Sequence, residues 1–196
     1  MLLNSIIIIP IIASLLIGLL GKDYLRLNYF IALFSSLIVF LLSLYLLYLF
    51  DPLSTEYQFQ TQMNWITQFN IQYFIGIDGI SLPLILLTTF ITPLVIITSN
   101  TSQKKDLHQY LAAFLILETL MIGVFSSLDA FLFYIFWEAM LIPMFIIIGV
   151  WGGKNRIYAT VKFFLYTFLG SVFMLLALIY LYFKTGSYAI NDFYNA

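Results

Sequence analysis

Two carboxylates interrupt otherwise apolar runs, and they are the residues best suited to do chemistry in this sequence. Glu118 lies within Leu115–Met121, and Glu138 lies within Phe136–Ile142. Each stands roughly 12–15 Å into a predicted helix, near the middle of a bilayer. An acid there costs roughly 2.5–3.5 kcal/mol of insertion free energy. The pattern indicates side chains that take up and release protons, and the alternative is acids hydrogen-bonded to neighbouring helices for structural reasons.

Three other residues belong to the same region of the sequence. Lys162 is the basic residue inside a predicted helix, and it either snorkels to the inner surface or biases the proton affinity of an acid. Pro143 lacks the amide that would bond the carbonyl of Ala139. Either that carbonyl accepts a hydrogen bond from water, or the proline only produces a kink that helps the helix to pack. His108, the lone histidine, adjoins the inner surface as a solvated residue or as a proton collector.

The composition requires a lipid environment around these residues. Charged residues make up 9% of the chain, hydrophobic residues 63%, and the mean hydropathy is +1.03, whereas a soluble domain has roughly 25% charged residues. The net charge of −1 argues against nucleic-acid binding. The absence of cysteine excludes thiolate and Fe–S ligation within this chain, and a lone histidine excludes the usual histidine-cluster metal sites. No phosphate-binding loop or nucleophilic triad is visible.

Six runs have the length of a membrane-spanning helix, and they are apolar on all sides, which favours helices over strands. The sequence therefore predicts an all-α integral membrane protein, with residues 1–196 forming a single membrane domain. The first run begins directly, without the pattern of a cleavable leader, and is interpreted as a membrane helix. The predicted helices are Leu3–Leu20, Leu27–Phe50, Gly79–Thr98, Gln109–Leu128, Ala130–Val150 and Ile157–Phe183.

Basic residues are divided unequally between the two sides. The odd-numbered loops carry six of them, while the opposite side carries Lys184 alone. The positive-inside rule then places both termini on the outer side. The six basic residues are Lys22, Arg26, Lys104, Lys105, Lys154 and Arg156.

The long loop between the second and third helices predicts an extramembrane β-hairpin. Tyr57, Phe59, Thr61 and Met63 alternate with glutamines, and a second alternation follows after Asn64–Gln68. A lone hairpin is marginal in water, so its apolar face needs a partner surface. That surface is either the ends of this chain's own helices or a neighbouring subunit.

Four polar or imino residues are expected to shape the helix ends and the third helix. Asp129 precedes the fifth helix as an N-cap, and Asp78 precedes the third as a cap or turn residue. Pro83 and Pro93 are expected to interrupt the third helix.

Three stretches resemble a known family: Tyr73–Ser81, Phe136–Met144 and Phe163–Ser171. They are similar to subunit 4 of the proton-pumping NADH:ubiquinone oxidoreductase, respiratory complex I, within the antiporter-like superfamily. The phrase Gly76–Ser81 is shared by all antiporter-like subunits, whereas Leu141–Met144 with Ile148–Gly152 behind it favours subunit 4.

This resemblance implies a function. Glu138 matches a glutamate of the family's proton channel, while Glu118 and Lys162 remain possible site residues because of their positions inside apolar helices. The chain would be a membrane-arm subunit that translocates protons coupled to NADH oxidation and ubiquinone reduction, without redox chemistry or a cofactor of its own. NADH, FMN, Fe–S clusters and ubiquinone would be bound elsewhere in the complex. The hairpin would contact the adjacent antiporter-like subunit.

One departure from the family pattern concerns length, because the family subunit has further helices that carry a central lysine. The expectation is a split subunit, in which a second chain carries the C-terminal half and brings a lysine near Glu138. Gly170 and Ser171 would permit close approach of that partner. The expected partners are other membrane-arm subunits and membrane lipid, with no nucleic acid.

Two other functional classes are kept open: a structural accessory subunit, and part of a stand-alone cation/proton antiporter. The richness in Phe, Tyr, Ile and Asn is typical of an AT-rich organellar genome. It favours the mitochondrial inner membrane over a bacterial plasma membrane.

Overall fold

Long apolar runs fold as helices because lipid offers no hydrogen-bond partner to the backbone. Each segment must therefore pair its own amide and carbonyl groups, as a helix does. The computed structural model describes residues 1–101 and 106–193. The predicted segments are confirmed there as long helices, with end shifts that are normal for helix boundaries. The helices are α1 Leu2–Leu20, α2 Leu25–Leu49, α3 Ser81–Thr101, α4 Leu107–Ser126, α5 Ala130–Trp151 and α6 Arg156–Thr185.

The first two helices are joined by a short connection. A 3₁₀ turn, Gly21–Tyr24, connects them, and Gly21 has a φ of 66° that favours glycine. In the described part of the chain, five stretches are long and apolar enough to cross a membrane. One of them, Leu2–Leu49, is 48 residues long and contains both α1 and α2. These five stretches contain the six helices.

The fourth helix lies at the centre of the bundle. It packs against α1, α2, α3 and α5, while α5 is the long helix that α6 packs against. A Cβ at Gly123 of α4 would meet the ring of Phe136 at 2.6 Å, so a glycine is needed where α4 and α5 approach each other. The Thr119 hydroxyl donates to the Ile7 carbonyl of α1 at 3.1 Å.

The long loop forms the predicted hairpin, with β1 at Gln58–Ile66 and β2 at Ile71–Ile77 in antiparallel register. The second strand packs on this chain's own α4–α5 turn, where the Leu128 amide donates to the Phe74 carbonyl at 2.8 Å. The inner strand of the hairpin, β2, is therefore covered by the helix ends of this chain, which is one of the two partner surfaces considered from the sequence.

Two details of the hairpin prediction are wrong. The alternation is not strict, because a register shift between Gln58 and Thr61 places Phe59 at a φ of 54°. Met63 is 56% exposed and does not lie on a covered face. The turn also lies later than predicted, at Thr67–Asn70, since Asn70 adopts the left-handed conformation that asparagine tolerates.

One further expectation about the helices needs correction. The third helix is uninterrupted, because Pro83 lies in its first turn, where no amide donor is needed, and the helix continues through Pro93.

The stretch after α6 folds back onto the bundle through the short helix α7, Ile190–Phe193. The Ile190 amide donates to the Leu128 carbonyl at 3.0 Å.

Contacts at the two ends of the bundle agree with the predicted topology. The N-terminal residue Asn4 accepts from the Tyr73 hydroxyl at 3.0 Å, and Asn70 donates to the Gly186 carbonyl at 3.2 Å. Both ends of the described chain therefore lie beside the hairpin. The turns with Lys22, Arg26, Lys154 and Arg156 lie at the opposite end, and Lys104 and Lys105 lie outside the described residues.

Candidate functional site

The N-cap at Asp129 fixes the start of α5 and hence the depth of Glu138. Its Oδ1 accepts from the amides of Phe131 and Leu132, each at 2.9 Å. Its Oδ2 accepts from the Gln72 amide of β2 at 3.2 Å. The predicted cap is confirmed, and it also ties the helix to the hairpin.

Glu138 points into protein between α5 and α6. The Tyr134 hydroxyl, one turn earlier on α5, interacts with the Glu138 side chain and with the Ser171 hydroxyl of α6. The Oε1 atom of Glu138 is buried and has no hydrogen-bond partner among the described residues. The carboxylate thus has a hydroxyl neighbour and one buried acceptor atom without a partner among the described residues.

Glu118 occupies a different site, between α3 and α4. Its side chain is 1% exposed, and neither carboxylate oxygen has a hydrogen-bond partner within residues 1–101 and 106–193. Thr92 is its nearest polar neighbour, but the Thr92 hydroxyl donates to the Thr88 carbonyl at 3.0 Å. A cavity of about 250 Å³ adjoins the carboxylate.

The two acids are not brought together. The cavity beside Glu118 is lined only by α3 and α4, whereas Glu138 faces Tyr134 and α6. Ile116 and Leu120 of α4 line the groove toward α5, and they lie about 200° around the helix from Glu118. The structure therefore contains two separate acid sites on opposite sides of the α4–α5 pair.

A groove of about 640 Å³ runs between α4 and α5 at the end of the bundle that carries the basic turns. His108 and Gln109 line it at the surface, and Ala139 and Pro143 line it deeper in α5. The Nδ1 atom of His108 is buried without a partner among the described residues. The groove thus places the carbonyl that Pro143 frees beside open space, one residue from Glu138.

Lys162 lies away from both acids. It is on the exposed side of α6, where its Nζ lies 5.6 Å from the centre of the Tyr158 ring and 5.9 Å from that of Tyr166. The side of α6 toward α5 is marked by Thr160 and Ser171, which are buried. The structure therefore does not bring Lys162 to Glu138.

The pKa values of two acids outside the helices, Asp129 and Asp78, are shifted in opposite directions. Burial raises the pKa of the Asp129 carboxyl above its usual range, although amide donors from Leu132, Gln72 and Phe131 oppose this effect. Burial also acts to raise the pKa of Asp78, but hydrogen bonds from Ser81 and Ile80 outweigh it, so that pKa is lowered. The Ser81 amide donates to Asp78 Oδ1 at 2.7 Å, which confirms the predicted cap of α3.

Two groups of site residues were not found from the sequence. Tyr134 precedes Glu138 by one helical turn, so a search at that spacing would have paired them. Ser171, Thr88 and Thr92 belong to other helices, and their approach to the acids depends on packing that one sequence does not reveal.

Models of two protein families together match the whole chain. The model described as NADH-ubiquinone oxidoreductase chain 4, amino terminus, matches residues 1–126, and the model described as NADH:quinone oxidoreductase/Mrp antiporter, TM, matches residues 127–196. This chain belongs to the chain 4 family. The resemblance stated from the sequence is confirmed.

Relatives in the chain 4 family come from bacteria and from plants. NADH-quinone oxidoreductase subunit M of Rickettsia prowazekii is 45% identical over 189 residues, which are 95% of this chain and 38% of the relative. NADH-ubiquinone oxidoreductase chain 4 of Marchantia polymorpha is 45% identical over 186 residues, 94% of this chain and 38% of the relative. The chain therefore spans well under half the length of these relatives.

A solved structure shares the fold. A chain of respiratory complex I from Thermus thermophilus with bound NADH superposes with a TM-score of 0.81 at 25% identity. The match covers 98% of this chain and 38% of that chain. The fold of this chain is thus also found in a chain of a respiratory complex I.

Proposed function

We propose that this chain is part of a membrane-arm subunit of an NADH:quinone oxidoreductase and takes part in proton translocation through Glu138. Membership of the chain 4 family supports the assignment to the complex. The observation that carries the proton role is the position of Glu138, whose carboxylate faces Tyr134 and Ser171 inside the protein and has a buried, unpartnered Oε1 atom. The NADH and quinone chemistry belongs to other subunits in this proposal.

The groove between α4 and α5 supplies the inner part of the proposed proton path. It connects the surface at His108 with the level of Ala139, and it has room for several water molecules at roughly 30 Å³ each. Water in the groove would donate to the Ala139 carbonyl and form a hydrogen bond with His108. It would bring protons to the depth of Glu138, whose side chain lies on the α6 side of α5.

A conservative substitution tests the proton role. Glu138→Gln keeps the size and polarity of the side chain but removes the titrating group, so the complex should assemble while proton pumping per NADH falls about tenfold or more. Glu56→Gln is the matched control, because Glu56 is an exposed acid outside the helices. Normal pumping by Glu138→Gln would favour a structural accessory subunit.

Co-purification distinguishes the complex from a stand-alone cation/proton antiporter. A tag on this chain should recover flavin- and Fe–S-containing subunits in mild detergent. Recovery of the chain without them, together with cation-dependent proton exchange in vesicles, would favour the antiporter. We propose the mitochondrial inner membrane as the site of the complex, and fractionation of organelles tests this.

The exposed side of α6 supports a proposal about the rest of the subunit. Leu165, Leu169, Phe173 and Leu176 are each more than half exposed, and Lys162 lies on the exposed side as well. We propose that further helices of a chain 4 subunit, carried on a second chain, cover α6 and bring a lysine near Glu138. Cross-linking from a cysteine at position 169, read by mass spectrometry, should identify a separate polypeptide with that sequence. A peptide continuous with residue 196 would replace the split with a single chain.

A further inference from the structure

The cavity beside Glu118 has no part in the path proposed through Glu138. It is lined by one acid, two threonines and apolar side chains of α3 and α4. Burying an ionised carboxylate without a partner costs far more than burying a neutral acid. The resting state of Glu118 therefore has to be explained by its surroundings.

The hydroxyl groups beside Glu118 select its protonated form. A carboxylate only accepts hydrogen bonds, and it would need donors. The Thr92 hydroxyl donates its proton to the Thr88 carbonyl at 3.0 Å, and the Thr88 hydroxyl donates to the Leu84 carbonyl at 2.9 Å. Each threonine oxygen is then left as an acceptor, which suits a carboxylic O–H or a water molecule.

The cavity has room for that water. Its volume of about 250 Å³ corresponds to several molecules at roughly 30 Å³ each, and three polar side chains line it. Leu87 and Ile91 at its rim are 53% and 45% exposed, so lipid or a neighbouring protein closes the outer wall. The buried polar stripe of α3 continues from Thr88 and Thr92 to Ser99 at the inner end of that helix, at spacings that keep one face.

We propose that the cavity between α3 and α4 is a second proton site, where Glu118 holds a proton at rest and exchanges it with water bound at Thr88 and Thr92. In the exchange, the O–H bond of the Glu118 carboxyl breaks and a new O–H bond forms on a cavity water, with no change of oxidation state. The inference rests on the proposed proton role of the chain. It adds a site that is separate from Glu138 and lies between α3 and α4.

Infrared difference spectroscopy of the assembled complex tests this site. Glu118→Gln should remove one carbonyl-stretch band of a protonated carboxyl, and transfer to D₂O should shift that band in the unmodified complex. Thr92→Val should shift the band without removing it, and Glu138→Gln should leave it in place. Loss of no band in Glu118→Gln, or a band insensitive to D₂O, would overturn the proposal.

Pumping measurements separate this inference from the proposed function. Glu118→Gln should lower the number of protons moved per NADH while assembly is retained, and an unchanged number would leave Glu118 as a structural acid and refute the site. Normal pumping by Glu138→Gln would instead count against the Glu138 path, whatever the spectrum of Glu118 shows.

Discussion

At the scale of single residues, the chain places its acids in three kinds of surroundings. Glu138 has a hydroxyl neighbour, Glu118 has a cavity, and Asp129 and Asp78 have backbone amides. The type of partner decides which protonation state is favoured, since amides stabilise the ionised form and dry burial disfavours it. Carboxylic acids thus cap two helices of this chain, and the proposals above give the two buried glutamates roles in carrying and holding protons.

The two capping acids should respond to pH with opposite sign. The raised pKa of Asp129 contributes stability that is fully present below the pKa of the unfolded chain and is lost as pH rises through the folded value. The lowered pKa of Asp78 contributes stability above the unfolded pKa and loses it as pH falls. Thermal unfolding in mild detergent should therefore show Asp129→Asn closing the gap to the unmodified chain as pH rises, and Asp78→Asn closing it as pH falls.

Loss of either cap should also be measurable at fixed pH. Replacing an N-cap acid by alanine typically costs about 1 kcal/mol. Asp129→Ala should cost more than Asp78→Ala, because Asp129 also accepts from the Gln72 amide and leaves that strand donor unpaired when it is removed. Equal destabilisation of the two variants would show that the link to the hairpin contributes nothing.

At the scale of elements, a substitution of Pro143 tests whether this proline only kinks α5 for packing or creates a site for water. Pro143→Ala restores the amide that bonds the Ala139 carbonyl, so the groove loses an acceptor while α5 stays helical. Pumping should fall severalfold. Pro10→Ala is the matched control, because Pro10 is buried within α1 and does not line the groove. Equal pumping by the two variants would identify Pro143 as a kink only.

The outer strand of the hairpin offers a second test at this scale. Met63 and Trp65 of β1 and Phe69 of the hairpin turn are each more than half exposed, although β2 is covered by the helix ends. If a neighbouring subunit covers them, Trp65→Ala should reduce the yield of assembled complex on native gels without unfolding the bundle. Leu53→Ala is the control, since Leu53 is 89% exposed and lies outside both strands.

Secondary structure was largely predictable because the constraint that lipid places on the backbone is strong and local. Uniform apolar runs gave the helices, and period-two alternation gave the hairpin. The exceptions were the register shift around Phe59, which arises in the pairing of β1 with β2, and the fold-back of the segment before α7, which is bonded to the α4–α5 turn. Such contacts join residues far apart in sequence, so periodicity has no information about them.

At the scale of the whole molecule, the acids could be predicted as candidates but their separation could not. Both lie near the middle of adjacent helices, and spacing alone allows them to share a cavity. Only the rotation of α4 between α3 and α5 places Glu118 and Glu138 on different sides. Lys162 is a similar case. Its position along α6 could be predicted from the sequence, but the side of α6 to which its side chain points could not.

Two glycines test which surfaces of the bundle are internal. Gly123→Ala should destabilise the chain itself, because the new methyl group meets the Phe136 ring at 2.6 Å. Gly170→Leu should leave the bundle folded, because nothing lies within 4 Å of a Cβ at Gly170, but it should reduce assembly if other helices cover α6. Thermal unfolding of the chain and native gels of the complex measure the two effects, and full assembly of Gly170→Leu would place lipid on that face.

The central position of α4 has a consequence for biosynthesis. Helices enter the membrane in the order of translation, so α1, α2 and α3 are present before the helix that touches all three of them. Until α4 arrives, Ile7 of α1 lacks the threonine that binds its carbonyl, and Ile17 of α1 and Ile96 of α3 lack Leu111 and Leu115 of α4, with which they form one apolar cluster. The insertion of the fourth helix is therefore the step that joins the first three helices into a bundle. A ribosome that stalls before this step leaves those helices without the central helix on which they pack.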